Sequence, residues 1–427
     1  MNRRFVVRKD TLAYIFSILL LVIYAFSTGL GPTIYRSGAL LYGTFAISIL
    51  VLFGVTSKYR TITRFTPNEA FAGLIILLMI LNNNANIKHG AYEQLFFSIT
   101  FYLVFIAINR SCDWIKITLS IICPIGIFYA AATYFFRINS GAYYSIVVPL
   151  FSNHTSFYQQ NYAYLNGFMN GFTPNSAINA FYIICSIGIL TTTLIAGEKR
   201  YKGIKTGCIV FLTGALLMTG KRAHLLFAIL AIVVVYFGSS KKDVLKKYFK
   251  FFMIVAVGLI IFVIAAQYIP SLLSVFNKFE MQASEGRLDS GRFIMWTQAF
   301  EFFKKNLFFG VGWDGFKYSY SILSGSTLNV HNVYIQILTE MGVIGAIPFF
   351  LFFVNTFRHA IKALKSICDM DKGTVDIKAA IMFAVFIQIF FLLYCLTGNP
   401  LYDATTLFMY LLSCAIGDYF YYHPITD

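Results

Sequence analysis

The sequence predicts an all-α polytopic membrane protein of about twelve transmembrane helices. Composition is the first reason. Of the 427 residues, 58% are hydrophobic and 12% charged, where soluble domains carry about 25% charge. Mean hydropathy is +0.70. The second reason is spacing. Apolar runs close to the ~20 residues that cross a bilayer as a helix recur from end to end. The third is where the cations fall, once the runs are set in alternating orientation.

The predicted spans are 11–30, 38–55, 69–83, 92–109, 117–136, 175–196, 206–219, 223–238, 251–268, 333–356, 379–397 and 401–417. The basic stretch Met1 to Asp10 leads into the first; that run exceeds a signal-peptide core and lacks a convincing cleavage site. The third and seventh runs are short, and the eighth starts almost where the seventh ends. With the N-terminus cytoplasmic, 23 of the 34 Lys and Arg fall on the cytoplasmic side. Short outer loops are then nearly bare, as the positive-inside rule requires. Both termini are expected in the cytoplasm. The net charge of +16 is therefore a topology signal, and no nucleic-acid partner is expected.

No internal repeat and no soluble domain stand out, so residues 1–427 read as one integral membrane domain. The seven cysteines, Cys112, Cys123, Cys185, Cys208, Cys368, Cys395 and Cys414, avoid both long outer loops. An odd, unclustered set argues against a disulfide framework or a thiolate metal site.

Two long outer segments interrupt the apolar pattern. Residues 137–174 are rich in Tyr, Asn, Gln and Ser. Tyr158, Gln160 and Tyr162 offer the aromatic faces and amide groups that sugar rings need; a membrane-interface belt would use the same residue types. Pro174 and Asn175 suit the start of a helix. Residues 269–331 open with Pro270 and a polar run. From Arg292 to Lys305 an amphipathic helix is expected, with Phe293, Trp296, Phe300 and Phe303 as its apolar stripe, lying on the membrane plane or on the bundle. Arg292 sits in its first turn, where a cation opposes the helix dipole and a partner anion is the natural compensation. Arg287 lies just upstream. The turn Thr219-Gly220-Lys221-Arg222-Ala223-His224 puts two more cations on the outer side. Arg222 is the stronger anion candidate there, because a guanidinium fork matches phosphate oxygens. Gly310-Val311-Gly312 reads as a tight turn. His331-Asn332 stands at the mouth of the tenth span, ahead of Gln336 and Glu340. An imidazole beside cations is pushed toward its neutral, basic form, which suits a general base.

Taken in order, Thr219-Gly220-Lys221-Arg222-Ala223, Ser290-Gly291-Arg292 with Trp296, Gly310-Val311-Gly312, and His331-Asn332…Gln336…Glu340-x-Gly342-x-x-Gly345 resemble the O-antigen ligase and O-antigen polymerase superfamily. The motifs cover about residues 171–345; the first half matches in topology alone. The resemblance implies a GT-C-like, inverting glycosyltransferase that uses neither metal nor cofactor. Its donor is a glycan on undecaprenyl diphosphate, and its acceptor a hydroxyl of a second glycan or glycolipid. It implies diphosphate binding by Arg222 and Arg292, with Arg287 a third cation lacking a clean motif match, and activation of the acceptor by His331. Asn332 joins Tyr158, Gln160 and Tyr162 as a candidate sugar contact. Membrane lipid, a chain-length regulator and a flippase are the expected partners. The site faces outward from the cytoplasmic membrane.

Polymerase is preferred to ligase on three tilts. The 137–174 segment offers a second carbohydrate surface, loop 269–331 carries a net charge of only +1, modest for a phosphorylated lipid acceptor, and nothing in the chain demands an outer membrane, without which polymerases also occur. A lipid-linked sugar flippase or transporter is the competing class. It should show inverted repeats and mid-membrane charges, of which Glu340 is the main example.

Overall fold

The computed structural model describes residues 66–82, 112–150, 163–239, 292–369 and 374–424, with isolated positions between 248 and 267. The predicted spans 11–30, 38–55 and 92–109 lie outside the described residues, and 251–268 is described only at scattered positions. The other eight are all helical. They are α1 (Pro67–Leu81), α2 (Cys112–Ile138), α3 (Ser176–Ile195), α4 (Lys202–Met218), α5 (Arg222–Gly238), α8 (Val333–Asp369), α9 (Val375–Tyr394) and α10 (Ala404–Tyr422). Two loop helices, α6 (Arg292–Lys305) and α7 (Gly315–Ser324), lie between α5 and α8. Among the described residues four helices are long and apolar enough to cross a membrane: Leu119–Ile138, α3, Val333–Cys368 and α9.

Local chemistry sets the helix starts. Thr66 and Glu69 form a reciprocal capping box, with Pro67 in the first turn of α1. Asn175 accepts from the Ala177 and Ile178 amides at 2.9 and 3.0 Å, the capping role expected of it. Thr374 and Asp403 cap α9 and α10 in the same way. Each cap satisfies amides that the helix itself leaves without partners.

Helices α3, α8, α9 and α10 form the centre, flanked by α1, α2, α4 and α5. In hydrocarbon, water-driven burial does not hold helices together; close packing and interhelical hydrogen bonds do. Gly126 of α2 lies directly against Ser186 and the Tyr182 carbonyl of α3. Ser186 Oγ donates to the Cys123 carbonyl at 2.9 Å, and Asn179 Nδ2 to Thr133 Oγ1 at 2.9 Å.

Three expectations are corrected. The tenth span does not stop at 356: α8 runs to Asp369, and it breaks at Gly342 (φ 62°, ψ −170°). The segment from 137 is not an open loop at its start. Residues 140–150 continue as short helical turns, including a π turn at Tyr143–Val147. Tyr143 is buried, stacked on Tyr164 at 4.5 Å and set edge-on to Phe136, so it serves packing. Finally, α6 forms where predicted but turns a different face inward. Met295 and Ala299 are buried, whereas Phe293 and Phe300 are exposed. Ala299 is small enough for its carbonyl to meet Thr339 Oγ1 of α8 at 3.1 Å, and the large rings turn away from that close approach.

Candidate functional site

One end of the bundle gathers the turn before α5, the start of α6, the entry to α8, and the turn that follows α9. The last two are stapled together. The Val333 amide donates to the Cys395 carbonyl at 2.8 Å, Tyr334 Oη to the Leu392 carbonyl at 2.8 Å, and Asn332 Nδ2 to the Leu396 carbonyl at 3.4 Å. On this platform stands His331, half-buried, with φ +56°. A left-handed backbone is uncommon for any residue but glycine and is held only where the surroundings insist on it.

Arg292 is delivered to His331 by Trp296. One turn into α6, Trp296 Nε1 donates to the Val330 carbonyl at 3.0 Å, directly before His331. Met295, Ala299, Phe316 and Val330 form a small apolar cluster beneath. Burial first, then the charges of Arg292 and Lys221, hold the His331 imidazole down at about 4. The ring is therefore neutral at physiological pH and able to accept a proton. The Arg292 charge also reaches Tyr394 at the end of α9, whose ring meets the His224 ring at 4.3 Å.

Arg222 is the first residue of α5 and is half-buried. Lys221, next to it, adds its charge at His331. Gly220 (φ +65°) turns the chain there. A Cβ on it would strike the Phe168 ring. Arg287, Tyr158, Gln160 and Tyr162 lie outside the described residues. Asn332 is buried, and its Oδ1 caps α8 through the Tyr334 and Ile335 amides at 3.1 and 3.2 Å. With Nδ2 on the Leu396 carbonyl, both ends of its amide are engaged in holding the entry to α8.

The remaining motif residues prove to be a clasp. Glu340 is fully buried. Its carboxylate accepts from the Asp314 amide at 2.9 Å, Gln336 Nε2 at 2.9 Å, Tyr402 Oη at 2.5 Å and the Phe316 amide at 3.3 Å. Four donors compensate a carboxylate taken out of water. The Val311 and Gly312 amides donate to the Thr339 and Glu340 carbonyls. Gly310 lies against the Glu340 backbone and Gly342 against the Phe308 backbone, leaving no space for a Cβ on either. After the break at Gly342, the Val343 and Ile344 amides donate to the Leu307 and Phe308 carbonyls. Asn82 at the end of α1 donates to the Phe309 and Glu340 carbonyls. Gly310-Val311-Gly312 is where the loop is bolted to α8, and it fixes the height at which α6 carries Arg292.

Among the described residues, no three His, Cys, Asp or Glu side chains meet as a metal site.

Residues 207–350 match the family model Wzy_C, described as O-antigen ligase. That stretch runs from within α4 to within α8 and contains Arg222, Arg292 and His331. The resemblance to the O-antigen ligase and polymerase superfamily, drawn from the motifs, is borne out over it. No curated protein matches the chain.

Proposed function

We propose that the chain is a glycosyltransferase that acts without a metal ion on a glycan carried by a lipid diphosphate, transferring it to an acceptor sugar hydroxyl. The observation that carries this reading is a half-buried histidine, in left-handed backbone, at the end of the bundle where the Arg292 and Lys221 segments meet. The family match supports activity of the ligase or polymerase type.

The chemistry follows from the charges. The acceptor oxygen attacks the anomeric carbon. A new C–O bond forms as the bond from that carbon to the diphosphate oxygen breaks. The electron pair leaves on the diphosphate, and the hydroxyl proton passes to His331. Attack from the face opposite the leaving group inverts the anomeric centre. Negative charge grows on the leaving group, so Arg292, Arg222 and Lys221, placed beforehand, stabilise the transition state more than the ground state. The first-turn amides of α6 point the same way as the Arg292 charge.

In this reading the membrane domain is GT-C-like with twelve spans, lies in the cytoplasmic membrane with both termini inside, and presents the site outward. Undecaprenyl diphosphate is the carrier. Polymerisation of repeat units is preferred, with the acceptor another lipid-linked unit; a chain-length regulator and a flippase would be its partners. Ligation of finished polymer to a glycolipid is the second reading, favoured by the description of the matching family. Deleting the gene separates them. Single repeat units left on carrier or acceptor support the polymerase. Full-length polymer accumulating on undecaprenyl diphosphate overturns it in favour of the ligase. For the activity itself, purified protein given lipid-linked donor should form product with a chelator present; arrest by chelator and rescue by a divalent metal would refute the metal-free mechanism.

A further inference from the structure

The segment after α9 carries a residue that no motif marked. Asn399 caps the short 3-10 helix Pro400–Tyr402, beyond the family match. Its side-chain amide lies 3.4 Å from His331 Nδ1. The other amide atom, Oδ1 as placed, is buried and without a hydrogen-bond partner among the described residues. A 180° turn of an asparagine amide exchanges oxygen and nitrogen without changing its shape, so one end of this group is committed to the histidine in either orientation.

The two orientations mean different chemistry. With Nδ2 toward the ring, Nδ1 must accept, the ring proton sits on Nε2, and Nε2 cannot take a proton. With Oδ1 toward the ring, Nδ1 carries the proton and donates, and Nε2 presents its lone pair. We propose that Asn399 is the positioning residue of His331: its Oδ1 accepts from Nδ1–H, which fixes the tautomer and aims Nε2 at the acceptor hydroxyl. The local architecture suits this. Three hydrogen bonds tie residues 332–334 to residues 392–396, as described above. Gly398 lies so close to the Tyr394 ring that a Cβ would not fit, and Pro400 stiffens the other side of Asn399. The amide is thus held from both flanks at the level of the imidazole.

This inference rests on His331 as the base, and its test is chosen to stand apart from that reading. Full-length protein labelled with 15N-histidine is placed in lipid nanodiscs, and the His331 signals are assigned by difference from His331→Gln. The wild type should show a protonated Nδ1 and an unprotonated Nε2. Asn399→Leu should shift the population toward the Nε2–H form. Its kcat should fall by about 10–100-fold, the usual loss when the partner that orients a functional histidine is removed, with KM for the lipid-linked donor unchanged. Asn399→Asp keeps an acceptor of the same size and should retain the wild-type tautomer, with kcat above that of the Leu variant. If Asn399→Leu does not fold, the wild-type spectrum carries the test by itself, through which ring nitrogen holds the proton. A wild-type ring protonated on Nε2, a tautomer indifferent to Asn399→Leu, or an Asp variant no better than Leu would overturn the proposal. Full activity of His331→Ala would instead defeat the function itself, whatever the tautomer.

Discussion

Two histidines bracket α8, and their neighbourhoods differ in one respect that matters. Each has an asparagine amide within 3.4 Å of Nδ1: Asn399 beside His331, and Asn68 beside His359 at 3.3 Å. His359, however, also meets a carboxylate. Its Nδ1 lies 2.8 Å from Asp418 Oδ1, Asn68 Nδ2 donates to the same oxygen at 2.6 Å, and Asn355 Nδ2 donates to Asn68 Oδ1 at 2.7 Å. Tyr421 stacks on the ring at 3.9 Å. His359 and Asp418 are both buried. That histidine is a rivet joining α1, α8 and α10. His331 has cations where His359 has an anion, sits at the surface end of its helix, and has a strained backbone. The same side chain is a staple in one field and, on the proposed function, a base in the other. The charge sign of its neighbours makes the difference.

The comparison can be broken most severely at the cations. Arg292→Ala or Arg222→Ala should abolish product while the protein stays in the membrane. Lysine should rescue poorly, since the bidentate fork is lost. Normal polymer from both alanine variants at matched expression would remove the diphosphate assignment. Next in size, His331→Ala should lower turnover by about 10²–10⁴-fold, the usual contribution of a general base. Its melting temperature should barely move, and single-turnover assays with matched donor occupancy would read the loss directly.

His359→Ala should behave in the opposite way. Its loss leaves the buried Asp418 with Asn68 as a remaining donor, which costs about 1–3 kcal/mol. Thermal unfolding in nanodiscs should show the loss, while turnover per folded molecule stays at the wild-type level. A catalytic defect at unchanged stability would erase the distinction between the two histidines. Gly342→Ala is expected to cost about 1–3 kcal/mol for its left-handed backbone alone, with more from the contact against Phe308. It should depress turnover together with stability, because the clasp sets the position of Arg292.

The smallest effect is in pH. The base must be unprotonated, so activity is lost as pH falls through the His331 pKa. In the free enzyme that value is held down at about 4 by burial and by Arg292 and Lys221. The kcat/KM profile should therefore stay flat through neutrality and fall only near that pH. Bound diphosphate offsets the cations, so the acid limb of kcat should lie higher than that of kcat/KM. An acid limb in the ordinary histidine range for both parameters would show that the cations do not act on the ring.

Much of the architecture was legible because it is local. Apolar run length names a helix, and Asn175 at its start behaves as a cap whatever lies around it. Arg292 and His331 could be singled out because charge and imidazole at the margin of an apolar segment are costly without a purpose. Arg222 stood out for the same reason. Facing was not legible in the same way. Phe293 and Phe300 read as a stripe for either the membrane plane or the bundle, and only the structure shows them exposed, because lipid is as apolar as a protein core and hydrophobicity does not tell one from the other. Asn332 looked available and proved to be a cap.

By itself, then, the sequence determined an all-helical chain with membrane-spanning segments and a motif set that marks residues 207–350 as O-antigen ligase-like. Tertiary structure decided what most motif residues do. Gly310, Gly342, Gln336 and Glu340 became a clasp only when the loop met α8, since a glycine's need for space and a carboxylate's need for donors are set by what packs against them. Asn399 shows this most clearly. It is 68 residues from His331 in sequence, in a turn that reads as a connector, and only the pairing of α8 with the end of α9 brings its amide to the imidazole.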